Sequence, residues 1–185
     1  GMTFQVSKRL ITVDDYHKMA EVGILPDRGI ELINGEIIEM SPIGSKHLSC
    51  VNTLAELLHE ALGRSAIISI QNPVRLGDRS EPEPDVAILK RSPNHYADSL
   101  PAAADVLLLI EVADNTLAYD RDIKSIIYAE SGVPEFWLVN LKERCIEAYW
   151  EPVGKAYKYR ALLRPGDVAE AQYFDLKLEV AKVMP

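Results

Sequence analysis

The sequence predicts one α/β domain with a mixed β-sheet flanked by helices, and three observations carry that reading. Short apolar runs of strand length are interspersed with longer stretches whose apolar residues recur at helical spacing. Asn34-Gly35 separates two β-rich runs, a strong hairpin signal because both turn positions require positive φ. Residues 105–112 are nearly all apolar, as in a central strand covered on both faces. A chain of 185 residues with 48% hydrophobic content can bury a sizeable core. No internal repeat, low-complexity segment or linker divides it.

Thr12 followed by Asp14-Asp15 marks a helix start, with Tyr16, Met19 and Ala20 on one face and Gly23 near the stop. The hairpin occupies residues 29–40, and Ser41-Pro42 ends its second strand. From Ser45 to Leu62 the residues Leu48, Val51, Leu54, Ala55, Leu58, Ala61 and Leu62 keep helical period, with Gly63 as the C-terminal stop. Residues 66–70 and 73–76 read as short strands around Gln71-Asn72. Residues 77–84 are charged and punctuated by proline, as expected of a loop, and 86–89 form a strand. A long surface connection covers 91–104. Beyond the 105–112 strand, Asp114-Asn115-Thr116 leads to a helix over 119–131 that Gly132 ends. Residues 134–140 form a strand, Lys142-Glu143 turns the chain into a strand over 145–150, and 157–163 form another. Gly166-Asp167 marks a turn, and the tail fits either a strand or a short helix.

The formal net charge of −8 argues against a protein that coats nucleic acid by bulk electrostatics. It leaves a nuclease open, since a metal-binding cluster is itself acidic. No apolar run reaches the roughly 18–20 residues of a membrane span. The N-terminus lacks the basic-then-apolar layout of a secretory signal, so a cytoplasmic location is expected. Gly1 before Met2 reads as the scar of a cleaved tag. Cys50 and Cys145 are too few for a disulfide framework and lack metal-ligand spacing, which leaves buried thiols.

The chemistry lies in acids at the ends of apolar strands. Pro84-Asp85 opens the run 86–89, Glu111 closes the run 106–110, and Lys124 follows within a helical pattern. A carboxylate at the end of a buried strand is costly unless solvated, paired or bound to a metal. Two of them on consecutive strands, with a lysine near, suggest a site for a hard divalent cation such as Mg²⁺, which prefers carboxylate oxygens. Such a cation neutralises phosphate and activates water, and a lysine stabilises developing charge. That combination suits phosphodiester hydrolysis. Asp120, Lys124 and Tyr128 share one helical stripe.

Several segments occur in a telling order: Glu31-Leu-Ile-Asn-Gly-Glu36, Ser41-Pro42 with His47, Pro84-Asp85, Glu111-Val112, Asp120 to Lys124, Tyr128-Ala129 and Gly132-Val-Pro-Glu-Phe-Trp-Leu-Val139. In that order, over about residues 11–150, the chain resembles the large bacterial family of putative restriction endonucleases of unknown specificity, a branch of the PD-(D/E)XK nuclease superfamily. The resemblance implies a restriction-endonuclease-like core and a metal site where strands diverge. It makes Asp85 and Glu111 the metal-binding acids, with Mg²⁺ or Mn²⁺ as cofactor and DNA as substrate. A homodimer is expected because duplex cleavage cuts two strands and twofold dimers are the commonest oligomers. The superfamily pattern places a lysine two residues after the second acid. Here that position is Ala113, and Lys124 on the following helix is the natural substitute. Asp114 stands where the family tends to carry serine.

Either hairpin glutamate, Glu31 or Glu36, can complete the acidic cluster, and Glu36 is the expected one because it follows the Asn-Gly turn. The competing reading is a solvated hairpin carboxylate. His47 is a candidate phosphate contact or water-orienting group, against the plainer role of a residue in the first helical turn. Glu81 and Glu83 read as a solvated acidic loop. Tyr128, Phe136, Trp137 and Trp150 read as core or interface. The expected catalytic set is therefore Asp85, Glu111, Lys124 and Glu36. Ala113 and the net acidity support an alternative, a catalytically inactive nuclease-fold protein that binds nucleic acid or a protein partner.

Overall fold

In the computed structural model, which describes residues 5–185, the first elements are a helix and then a hairpin that lines a cavity. Residues 1–4, including the Gly1-Met2 pair read as a tag scar, lie outside the described residues. Helix α1 (Val13–Glu21) starts where expected, its Thr12 side chain accepting the Asp15 amide at 3.1 Å. Val13 and Tyr16 form its buried face, whereas Ala20 is exposed. Strands β1 (Ile30–Ile33) and β2 (Glu36–Glu39) pair across the Asn34-Gly35 turn, where φ is 49° and 78°. A side chain at Gly35 would place its Cβ 2.7 Å from Leu10 Cβ, so glycine is required there for space as well as for φ.

Helix α2 (Ser45–Leu62) has the span its periodicity predicts. Cys50, Val51, Leu54, Leu58 and Leu62 are its buried residues. Leu48 is 50% exposed, because the first turn stands at the rim of a cavity rather than over the core.

The central sheet follows: β3 (Ile67–Ile70), β4 (Val86–Leu89), β5 (Val106–Ala113), β6 (Glu135–Asn140), β7 (Cys145–Val153) and β8 (Ala156–Leu163). These six strands lie in sequence order, β5 and β6 parallel and every other pair antiparallel. The sheet is thus mixed, as the sequence predicts. The expected strand over 73–76 is absent apart from a single bridge from Arg75 to Ala102. Val74 and Leu76 donate their amides instead to the Pro82 and Ser80 carbonyls within the same loop. Pro73 and Pro82 lack the amide donors that a longer ladder needs.

Alternation along the strands sends side chains to two cores. On one face α2 packs on Val86, Ile88, Leu108, Ile110, Val112, Trp137, Val139 and Ile146. On the other, Ile127 and Tyr128 pack on Ala87, Leu109, Ala113, Phe136 and Leu138. Cys50 and Cys145 are free and buried.

The parallel β5–β6 pair is joined by the helical connection such a pair requires. It consists of α3 (Leu117–Tyr119), a π-wound turn (Asp120–Lys124) and α4 (Ser125–Glu130). The Ser125 amide reaches the Asp120 carbonyl five residues back. The sequence predicts helix here but not the π winding, a form that recurs at functional sites. The tail resolves its ambiguity by being both: a β9 (Val168–Glu170) and β10 (Lys177–Glu179) hairpin, then α5 (Val180–Val183), packed against the α2 core. Among the described residues no helix is long and apolar enough to cross a membrane.

Candidate active site

Asp85 sits immediately before β4 and Glu111 near the end of β5, and the antiparallel register of those strands brings the two acids side by side. Val86 pairs with Ile110, so the next step outward faces Asp85 toward Glu111. The Val112 amide donates to Asp85 Oδ2 at 2.8 Å. His47 Nε2, from the first turn of α2, lies 3.2 Å from the same oxygen, and Gln71 Nε2 donates to Oδ1 at 3.4 Å. Burial works against the Asp85 carboxylate, yet the His47 hydrogen bond and charge, the Val112 amide and the charge of Lys124 leave its pKa lowered. Asp85 is therefore held as an anion. His47 carries the reciprocal shift: burial lowers its pKa, and Asp85 more than compensates.

Lys124 enters from the π turn. Its ammonium donates to Glu31 Oε1 at 2.8 Å and to Glu111 Oε1 at 2.9 Å, and Tyr128 donates to the same Glu111 oxygen at 2.6 Å. All three charged residues are buried. Burial lowers the Lys124 pKa, but Glu111, Tyr128, Glu31 and Asp120 drive it well above the ordinary lysine value. Lys124 is a fixed cation. Glu111 moves the other way: burial pushes its carboxyl up, Lys124 opposes this, and Asp85, Asp120 and Glu31 reinforce it. Asp120, buried on the same π turn, accepts from the Thr116 hydroxyl at 2.7 Å. Burial pushes it up to about 6, against Lys124 and Thr116 and with Asp85 and Glu31.

These groups line a cavity of about 320 Å³ between the β1–β2 hairpin, the N-terminus of α2, and the segment from Asp114 through the π turn. Its apolar wall comes from Ile38, Met40, Pro42, Ile43 and Val112. Its polar wall is acidic: Glu31, Glu39, Glu83, Asp85, Glu111, Asp114 and Asp120 face Lys124 and His47.

The fit of a metal can be judged on this donor set. No hydrogen bond among the described residues engages Glu111 Oε2, Glu31 Oε2 or Asp120 Oδ1. Burial and acidic neighbours push the Glu111 and Asp120 carboxyls up, and crowded carboxylate oxygens are the donors a hard cation prefers. Among the described residues no three His, Cys, Asp or Glu side chains converge into a complete metal-binding group. Glu111 Oε2, together with Asp85 Oδ1, whose one hydrogen bond among the described residues is the 3.4 Å contact from Gln71, can form a partial ligand set of the kind Mg²⁺ accepts, with waters and substrate oxygens supplying the rest.

The structure gathers Asp85, Glu111 and Lys124 as expected, and His47 with them. Glu36 is not part of the group. It shares a hairpin face with Glu31 but lies at the turn, opposite Ile33, where it is exposed and pairs with Lys8 at 2.7 Å. Glu31 is opposite Ile38, at the level of the cavity, and takes the place expected for Glu36. An acid inside the apolar strand Ile-Glu-Leu-Ile is the sequence signal that favours it. Asp120 and Lys124 share a stripe as expected, but they are buried side chains with separate partners rather than a surface ion pair. Glu81 is not solvated either. It is buried and meets His17 Nε2 at 2.6 Å, while Glu83 lines the cavity and donates its amide to Glu31. Tyr128 belongs to the core as expected, with its hydroxyl turned to the site.

A mixed sheet flanked by helices, with acids and a lysine gathered where β4 and β5 part, defines the restriction-endonuclease-like class of fold. The crystal structure of a "putative nuclease belonging to DUF820" from Anabaena variabilis ATCC 29413 matches it with a TM-score of 0.75 at 20% identity, covering 94% of this chain and 97% of that one. Over residues 13–181 the sequence matches the family described as "Putative restriction endonuclease" (Uma2), and the chain belongs to that family. No match was found among curated proteins.

Proposed function

We propose that the protein is a Mg²⁺- or Mn²⁺-dependent endonuclease that hydrolyses phosphodiester bonds of DNA, acting in the cytoplasm as a homodimer of single-domain subunits. The observation that carries this reading is the convergence of Asp85 and Glu111 with the buried ammonium of Lys124 on one cavity. Asp85 and Glu111 would hold the cation, which supplies charge neutralisation at the phosphate and a more acidic bound water. Lys124 supplies a fixed positive charge beside the scissile phosphate, where a preorganised charge lowers the barrier most. Glu31 and Tyr128 orient Lys124 and Glu111 respectively. His47 holds the Asp85 carboxylate in place. Glu36 has no part in this mechanism.

A specific observation favours a second reading. Lys124 is already held by two carboxylates in an acidic cavity, as it would be in an inactive nuclease-fold protein that binds nucleic acid or a protein partner. Calorimetric titration of Mg²⁺ and Mn²⁺ into wild type and Asp85→Ala, with cleavage of DNA and RNA substrates followed in parallel, separates the two. The nuclease reading expects metal-dependent cleavage that Asp85→Ala and Glu111→Ala each abolish while circular dichroism stays native. Cleavage retained by both variants would sink the site assignment. Nucleic-acid binding without turnover under any metal supports the second reading.

A further inference from the structure

Glu147 lies on β7 at the same level of the sheet as the catalytic acids. Glu111 pairs with Leu138, and Leu138 with Glu147, which puts Glu147 two strands away, about 10 Å, on the same face. It is 1% exposed, and two arginines converge on it. Arg121, from the π turn, donates from Nε to Oε1 at 2.9 Å and from Nη2 to Oε2 at 2.6 Å. Arg160, from β8, donates from Nη2 to Oε1 at 3.0 Å and lies over the Tyr149 ring at 5.7 Å. Tyr149 adds its hydroxyl to Oε1 at 2.8 Å.

One carboxylate thus holds two guanidiniums, and the cluster carries a net charge of about +1 in a chain of net −8. Among the described residues neither arginine meets a second carboxylate within ion-pair distance. Both heads remain open to solvent, 38% exposed for Arg121 and 55% for Arg160. Among the described residues, Arg121 Nη1 and Arg160 Nε and Nη1 have no hydrogen-bond partner. Guanidiniums fixed in this way lose little freedom on meeting an anion, and their fork geometry matches phosphate oxygens. A buried glutamate could have been satisfied by one arginine and Tyr149. The second, half-exposed arginine is surplus to that need.

We propose that Arg121 and Arg160, held by Glu147, form a docking point for the nucleic-acid backbone beside the catalytic cavity. It would hold a backbone phosphate on the strand flanking the scissile one. The cavity itself is acidic, so the strand needs a positive hold nearby, and this cluster provides it on the same face of the sheet. The inference rests on the proposed nuclease function and adds to it the residues that grip the substrate away from the reacting bond.

The test is equilibrium binding of fluorescent duplex DNA, single-stranded DNA and RNA, and of inorganic phosphate alone, across a salt series with Ca²⁺ replacing Mg²⁺. Wild type is compared with Arg160→Gln, Arg160→Lys and, as a control for bulk charge on the same strand, Lys158→Gln. Thermal melts verify that each variant is folded. Arg160→Gln should weaken duplex binding and flatten the salt slope by about 0.9, the loss of one phosphate contact. Arg160→Lys should keep most of the slope but bind more weakly, because the fork is lost. Lys158→Gln should stay near wild type. An unchanged slope in Arg160→Gln, or an equal effect from Lys158→Gln, overturns the docking point while leaving the nuclease reading intact. Wild type that binds phosphate but no oligonucleotide, or nothing at all, overturns both.

Discussion

Lys124 Nζ stands 2.8 Å from Oε1 of Glu31, and that sealed ion pair ties the N-terminal hairpin to the π turn 93 residues later. The same ammonium reaches Glu111, so one cation joins three separate elements: β1, β5 and the helical connection. The contact places the hairpin as a wall of the cavity. It also means that the charge balance of the site and the docking of the hairpin depend on one residue.

Replacing Lys124 should therefore cost fold stability as well as any activity. Lys124→Met leaves Glu31 and Glu111 buried without their cation, and breaking a buried pair on one side costs about 3–5 kcal/mol. The carboxyl of Glu111 is already shifted upward by burial and its acidic neighbours, so it can take up a proton and relieve part of that cost as the pH falls. Urea unfolding should show the largest deficit near pH 8 and a smaller one near pH 5.5. A deficit independent of pH would mean that lost packing, not uncompensated charge, is responsible.

Asp120 gives a prediction of definite sign. Its carboxyl moves from 3.8 up to about 6 in the folded protein, so the native state holds that proton more tightly than the unfolded chain. The resulting stabilisation is full below about pH 3.8 and is lost as the pH rises through about 6. Asp120→Asn removes this penalty. In chelator, the variant should be more stable than wild type above pH 6, by up to about 3 kcal/mol, a ceiling that already contains the Thr116 hydrogen bond. The gap should close toward pH 4. A variant less stable at pH 8 would show that the Thr116 contact outweighs the buried charge.

Tyr128 donates to Glu111 from inside the core at 2.6 Å, and Phe136 meets its ring edge-on. Tyr128→Phe keeps the packing and removes one bond to a charged group, a loss of about 1.5–3 kcal/mol. The lost donor should also raise the pKa of Glu111 further. Metal binding measured by calorimetry should then weaken more at pH 6 than at pH 8, because the proton competes more strongly. Equal weakening at both values would mean that the hydroxyl acts only through geometry.

Local signals explain what was legible in the sequence. The Asn34-Gly35 turn, the periodic stretch of α2 and the apolar run of β5 are each specified by residues close together in the chain, and each was found where expected. Asp85 and Glu111 were legible because an acid at the end of a buried strand is conspicuous, and Lys124 because Ala113 occupies the position where the resemblance expects a lysine. The choice between Glu31 and Glu36 was not, because it depends on how far along the hairpin the π turn docks, and this contact spans 93 residues. The π winding left no mark either, since no residue in Asp-Arg-Asp-Ile-Lys prefers it over α. The acids of the 77–84 loop looked solvated because their partners, His17 and the β1 strand, lie far back in the chain.

The hairpin turn offers a way to disturb the site from outside it. Gly35 has φ of 78°, its amide donates to the Arg79 carbonyl at 2.7 Å, and its carbonyl accepts from Ile11 at 2.9 Å. Gly35→Ala adds a methyl group 2.7 Å from Leu10 Cβ in a backbone conformation that alanine resists. Strain and displacement together should cost about 1–3 kcal/mol. Glu31 is on the strand leading into that turn, so the shift should propagate to its contact with Lys124. Gly35→Ala is expected to lower the melting temperature and to weaken metal binding, although Gly35 touches no ligand. Asn34→Gly, which relieves φ at the neighbouring position without adding atoms, should do neither. If Gly35→Ala melts lower but binds metal as wild type does, the hairpin position and the metal site are independent, and Glu31 is then a structural anchor for Lys124 alone.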